Sequence, residues 1–202
     1  MVEQGSAIAK TAVIDYFDSC APFWDAGMVR NDAVIRRILD NAAVGEGVRV
    51  LDVACGTGVL IPDYLARKAS SVTAVDISPK MIDIARQKFA VPNVRFLCCD
   101  AESADMGADF DAIVVYNAFP HFSNGAQLIA RLAGLLAPGG TLAVAHGMSR
   151  AALARHHAGS ARKVSVGLMP AEQLADIFQS ALTVTAVISD EEMYEVCGRR
   201  DG

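Results

Sequence analysis

Three aspartates recur at one interval: Asp52, Asp76 and Asp100 stand 24 residues apart, each at or near the end of a short apolar run. Carboxylates so placed accept hydrogen bonds from hydroxyl and amino groups or pair with cations. Directly after the first comes Cys55-Gly56-Thr57-Gly58. Its glycines allow a tight bend and let a ligand approach bare backbone. A single aspartate in such a place is ordinarily a turn or cap residue. Three in order beside a glycine turn point to a ligand rim.

The second chemical group is histidine. All four, His121, His146, His156 and His157, fall between positions 121 and 157. Imidazole titrates near neutral pH, so His121 or His146 would serve as a general base or an acceptor-orienting group. A metal set of His146, His156 and His157 is the other possibility weighed, but no carboxylate-and-histidine pattern of recognisable metal spacing accompanies it, and no metal is expected. The aromatic residues Tyr16, Phe17, Phe23, Trp24, Phe119 and Phe122 are candidates for an apolar pocket wall, Tyr16 and Phe119 foremost; at helical spacing such residues usually serve packing.

The elements that must hold these groups are legible. The runs VRVLDVA, SVTAVDI, NVRFLCC, FDAIVVYNAF and TLAVAHG alternate with helical patterns over 60–67, 79–89 and 126–136. Continuous apolar runs of this kind are strands buried on both faces, and the alternation is that of a parallel sheet. Ser78-Pro79 is a helix start and Pro138-Gly139-Gly140 a stop signal. PAEQLADIFQSA reads as a further helix; LTVTAVIS and MYEVCGRR follow, with only residues 190–192 between them. That link allows a hairpin and no crossover, so the sheet should end with an antiparallel strand. Residues from about 8 to 43 read as helical and are broken at Pro22. The expected fold is α/β: a doubly wound, mostly parallel seven-stranded sheet with an antiparallel C-terminal strand and helices on both faces. One domain is expected over 1–202, with a helical lid at 1–45 and a core at 46–202.

Bulk properties narrow the function. The chain has 202 residues, 52% of them hydrophobic and 20% charged, enough apolar material for one core. A net charge of −5 and a pI near 5.3 argue against a nucleic-acid partner. No apolar run approaches the roughly 18 residues of a membrane span, and the N-terminus lacks a basic end followed by an apolar stretch, so a cytoplasmic location is expected. Five cysteines without C-x-x-C spacing suggest free thiols.

Charge decides between nucleotide-like cofactors. A dinucleotide fingerprint needs a third glycine, where this chain has Ile61, and Asp52 just before the turn would repel a pyrophosphate. The same carboxylate pairs well with the ammonium of a methionine moiety. NAD binding is the alternative, since Asp76 also stands near the distance of a dinucleotide's ribose acid.

The segment D-V-A-C-G-T-G, an acid followed by a glycine turn with Ala54 in the first glycine's place, resembles the first motif of class I, Rossmann-like S-adenosylmethionine-dependent methyltransferases. The resemblance runs over about 48–199. It implies that S-adenosylmethionine is the cofactor, with Asp52, Ala54, Cys55 and the Gly56–Gly58 backbone around its methionine part. It further implies Asp76 on both ribose hydroxyls, Ile77 and Met81 beside the adenosine, and Asp100 with Ala101 at the adenine amino group. Asn117 leaves the fourth strand where the family places residues beside the transferring methyl, and Tyr-Asn-Ala-Phe-Pro-His-Phe is similar to small-molecule members related to quinone-biosynthesis enzymes. The implied activity is in-line methyl transfer to a small-molecule acceptor, with Asn117, His121 and His146 as catalytic candidates and Tyr16, Phe119, His121 and His146 around the acceptor. A non-catalytic protein that merely binds the cofactor is the further alternative.

Overall fold

A computed structural model describes residues 8–156 and 160–202. Seven strands form one sheet in the order β3-β2-β1-β4-β5-β7-β6. In chain order they are β1 (Arg49–Val53), β2 (Ser71–Asp76), β3 (Val94–Cys98), β4 (Phe110–Tyr116), β5 (Leu136–His146), β6 (Thr183–Ser189) and β7 (Tyr194–Arg199). β1 pairs in parallel with β2 on one side and β4 on the other, so the winding reverses between β1 and β4. Only β7 runs antiparallel, between β5 and β6, which makes the expected hairpin.

Apolar side chains cover both faces of the central strands. One cluster joins Leu51, Val53, Ile113, Val115 and Val144 to α5 (Gly125–Leu135) and α7 (Ala171–Gln179). The other joins Val50, Val72, Val114 and Ala143 to α2 (Asp32–Asn41), α3 (Ile61–Ala66) and α4 (Pro79–Lys88). Consecutive strand residues thus serve opposite layers, as the pleat requires. Side-chain caps set three helix starts: Asn31, Ser78 and Asn124 accept from the backbone N–H of Val34, Met81 and Gln127.

The sequence expectation fails locally at Pro138-Gly139-Gly140. No loop separates helix from strand there: α5 ends at Leu135, β5 begins at Leu136, and the Pro-Gly-Gly segment lies inside the strand at a register shift against β4. Gly140 is required, since a Cβ would lie 2.8 Å from the Phe110 carbonyl oxygen. The glycines that read as a stop serve a bulge instead.

The N-terminal stretch has α1 (Lys10–Cys20), two short 3-10 turns at Ala21–Phe23 and Asp25–Gly27, then α2. Pro22 sits in the first of those turns, as expected for a helix breaker. Residues 8–31 lie across the carboxyl ends of β1, β2 and β4, and form the cover described below. α6 (Arg150–His156) follows β5. No helix among the described residues is long and apolar enough to cross a membrane.

Candidate functional site

Beyond the carboxyl ends of β1 and β4, at the reversal in winding, lies a cavity of about 640 Å³. The rim is held by backbone bonds that carry the sheet ladder past the strand ends. Cys55 N–H donates to the Val75 carbonyl at 2.9 Å, Cys99 N–H to Asp76 at 2.9 Å, and Asn117 N–H to Ala145 at 2.8 Å.

The turn after β1 passes through left-handed backbone at alternate residues: Ala54 (φ 56), Gly56 (φ 55) and Gly58 (φ 85). Ala54 and Gly56 line the cavity and Gly58 does not; a Cβ on Gly58 would lie 2.8 Å from the Phe89 ring. The second glycine therefore serves close packing, and the first leaves backbone open to the cavity. Asp76 holds this turn. Its Oδ2 accepts from Gly56 N–H at 2.9 Å and its Oδ1 from Ser78 N–H at 2.8 Å. Each carboxylate oxygen can accept a further bond, and Asp76 lines the cavity, so the residue suits a pair of vicinal hydroxyls. Burial pushes its carboxyl above the usual carboxylate range, partly offset by those backbone donors.

Asp52 lies beneath the turn and does not line the cavity. It is 2% exposed and lies beside the buried Tyr64 hydroxyl, whose hydrogen-bonding influence partly opposes the effect of burial on the carboxyl. Burial, with the charge of Asp76, pushes its carboxyl up to about 7. The parity of β1 explains the placement: Asp52 points with Val50 into one layer, whereas the chain must bend at Ala54 before backbone reaches the opening. Cys55 lines the cavity with a buried thiol that burial pushes well up.

Ile77, Met81, Cys99, Asp100 and Ala101 line the same end. Asp100 accepts from Glu102 N–H through Oδ1 at 2.9 Å and from Ser103 Oγ through Oδ2 at 3.0 Å. Lys10 of the cover also pairs with Asp100, and with Glu102 at 2.9 Å. Burial raises Asp100, but Lys10 and the other donors outweigh it and hold the carboxyl below the usual range. An amino group that sought Asp100 would meet Lys10 as a competitor.

At the other end, Tyr116, Asn117, His121 and Met148 line the cavity beneath Phe17, Trp24 and Met28 of the cover. Asn117 adopts left-handed backbone (φ 56), and its Oδ1 accepts from Gly147 N–H at 2.9 Å. His121 Nδ1 lies 2.6 Å from the Val164 carbonyl oxygen. A carbonyl only accepts, so Nδ1 carries a proton and Nε2 is the basic nitrogen of the neutral ring. Phe17 meets His121 edge-on, with centroids 4.9 Å apart.

Three residues expected near the acceptor lie elsewhere. His146 is fully buried, on the β5 face that also carries Leu142 and Val144, with Tyr194 at 6.0 Å between centroids. Phe119 is 3% exposed and packs against the start of α5, where a Cβ on Gly125 would lie 2.6 Å from its ring. Tyr16 is half-buried and stacks edge-on against Phe17, which lines the cavity in its stead. His156 ends α6, and His157 lies outside the described residues. Sequence reasoning did not single out Lys10, Arg30, Tyr116 or Met148. Only for Tyr116 was there a usable signal, its place just before Asn117 at the end of β4.

Four polar ties hold the cover down. Besides Lys10, Asp18 accepts from Ser78 Oγ at 2.5 Å, Asp25 accepts from Thr57 Oγ1 at 2.5 Å and pairs with Lys88 at 2.7 Å, and Arg30 pairs with Asp63 at 2.6 Å.

Comparison with known proteins agrees with this geometry. Residues 50–140 match the methyltransferase domain family. An uncharacterized methyltransferase of Mycobacterium tuberculosis is 44% identical over 96 residues, 47% of this chain and 48% of the relative. A ubiquinone biosynthesis O-methyltransferase of Xylella fastidiosa is 37% identical over 102 residues, 48% of this chain and 41% of the relative. The chain thus spans about half or less of the length of the curated relatives it matches. The N-methyltransferase NodS from Bradyrhizobium japonicum WM9, solved with S-adenosyl-L-homocysteine, superposes with a TM-score of 0.65 at 20% identity over 85% of each chain. The match to the methyltransferase domain family is confined to residues 50–140, and the fold is shared with solved S-adenosylmethionine-dependent methyltransferases from Aquifex aeolicus and Mesorhizobium loti.

Proposed function

We propose that the chain is an S-adenosylmethionine-dependent methyltransferase that acts on a small-molecule acceptor. The observation that carries this reading is one continuous cavity at the winding reversal. Asp76, the bare Gly56 backbone and Asp100 stand at one end, and an apolar chamber roofed by residues 8–31 stands at the other. The cofactor supplies a methyl group already activated by a positively charged sulfur. The protein's work is therefore alignment and exclusion of water.

In this reading Asp76 takes the ribose hydroxyls, Ala54, Cys55 and Gly56 border the methionine part, and Ile77, Met81, Asp100 and Ala101 border the base. Asp52 supports the site from beneath: burial disfavours its ionised form, and a cationic ligand above the turn would favour that form. With its Oδ1 held by Gly147 and its side chain also bonded to Tyr116, Asn117 presents its amide to the acceptor side as part of a fixed pair. His121, protonated at Nδ1, offers Nε2 as a base for an acceptor that must lose a proton. Transfer is in line, with the acceptor entering from the Asn117 end.

Isothermal titration of the full chain with S-adenosylhomocysteine tests the reading. The expected result is saturable binding, with Asp76→Ala weakened about 30-fold or more. No binding by the wild type, with NADH bound instead, would replace the methyltransferase reading by that of an oxidoreductase. A screen of phenols, thiols and quinone precursors for release of S-adenosylhomocysteine then separates turnover from cofactor binding alone.

A further inference from the structure

Arg30 is the one permanently charged side chain that lines the acceptor end of the cavity among the described residues. An arginine in such a wall ordinarily recognises carboxylate or phosphate, because its planar fork matches both oxygens of the anion. Here the fork is already occupied from behind. Nε donates to Asp32 Oδ1 at 2.6 Å, one terminal nitrogen to both Asp63 oxygens at 2.7 and 2.6 Å, and the other to the Val59 carbonyl at 2.7 Å. Neither Asp63 nor Asp32 lines the cavity. The charge of the arginine in this wall is therefore balanced by two carboxylates outside the chamber.

The balance reaches the place where an acceptor would sit. Burial is the main influence that raises the Tyr116 hydroxyl above the usual phenol range; the Asn117 side chain opposes it most, Arg30 less, and Asp63 counters the pull of Arg30. The two charges are felt together at Tyr116, the residue next to Asn117.

We infer that Asp63 is a specificity-determining residue: by holding Arg30 from outside the cavity, it sets the acceptor end for uncharged molecules and against anions. The inference rests on the proposed methyltransferase reading and names its acceptor class. A carboxylate that enters must shed its water without gaining a partner, because the one cation in the wall is engaged. An uncharged phenol or similar molecule meets an apolar chamber, with Asn117, His121 and Tyr116 as its polar contacts.

The test uses full-length protein saturated with S-adenosylhomocysteine and three matched probes: para-propylphenol, para-hydroxyphenylpropanoate and para-hydroxyphenylpropylamine. Affinities are read by calorimetry. In the wild type para-propylphenol binds tightest, by about tenfold or more over the propanoate. Asp63→Asn, with its S-adenosylhomocysteine affinity unchanged, tightens the propanoate by about tenfold and leaves para-propylphenol within about twofold. Asp32→Asn removes the second partner at a site 74% exposed, where the fold tolerates change, and shifts the propanoate the same way by a smaller factor. If Asp63→Asn does not fold, Asp32→Asn decides the matter. Equal or tighter binding of either charged probe by the wild type overturns the inference, as does a propanoate affinity that both folded variants leave unmoved, or a wild type that binds cofactor product but none of the probes. Those results leave the methyltransferase reading in place. Failure of S-adenosylhomocysteine to bind overturns that reading itself.

Discussion

The two walls of the cavity are built by different physics. The rim of strand ends is fixed by backbone hydrogen bonds between buried strands and by Asp76, whose oxygens hold the turn after β1 and the start of α4. The cover at 8–31 is held by polar ties with substantial access to solvent: Lys10 is 50% exposed, Asp25 44% and Arg30 29%. Ion pairs of that exposure contribute about 0–1 kcal/mol each and weaken with salt. The contrast divides the labour of the site. One wall is fixed by buried bonds; the other is fastened by exposed ties of low individual worth.

The largest expected effect breaks the rim from within. In the folded chain Asp52 has a pKa of about 7 against an ordinary 3.8. Both states are neutral well below pH 4, and as pH rises toward 7 the unfolded chain ionises freely while the folded chain resists. The stability contribution is therefore present at low pH and lost through that window, up to roughly 4 kcal/mol. Asp52→Asn should make the protein more stable than wild type at pH 8 by about 2–4 kcal/mol, and change it little at pH 4. Urea unfolding at both pH values checks this, and parallel wild-type and variant profiles refute it. Glu195, buried on β7 and pushed up to about 7 mainly by its burial, adds wild-type slope in the same direction.

Next, Asp76→Ala leaves the Gly56 and Ser78 N–H groups without their acceptor, so S-adenosylhomocysteine binding should fall by about 2–3 kcal/mol with a smaller loss of stability. Calorimetry beside thermal melting separates the two. Gly58→Ala combines left-handed backbone with a Cβ 2.8 Å from Phe89, and should destabilise the fold by about 1–3 kcal/mol in denaturant titration. The smallest effect concerns the cover. Lys10→Met should speed hydrogen exchange over residues 10–31 by about threefold, leave strand amides unchanged, and abolish part of the same acceleration that salt produces in the wild type. Equal acceleration in the strands would erase the distinction between the walls.

Legibility followed the same division. The strands could be read because burial on both faces makes their apolar runs continuous, and the Gly56 turn, Asp76 and Asp100 because each follows such a run directly. What escaped was side-chain parity and long-range pairing. Asp52 and Ala54 belong to one motif, yet the first faces a buried layer and the second the cavity. His146 ends its strand as expected, but faces the α5 and α7 layer. The single-residue step from Tyr16 to Phe17 is about 100° of helix, enough to exchange which ring enters the cavity. The pairings of Lys10 with Asp100 and of Arg30 with Asp63 join residues 90 and 33 positions apart, for which local sequence holds no signal. Pro138-Gly139-Gly140 carries the composition of a turn, and only the register of β4 against β5 reveals a bulge.

Trp24 is the chain's only tryptophan, and it sits in the cover, facing the glycine turn. Its indole nitrogen lies 3.8 Å from where a Cβ on Gly56 would stand, and the side chain is partly open to solvent. The molecule therefore contains its own optical reporter. Emission excited at the indole comes wholly from the gap between cover and glycine turn, so its colour and intensity report the surroundings of that gap without any label.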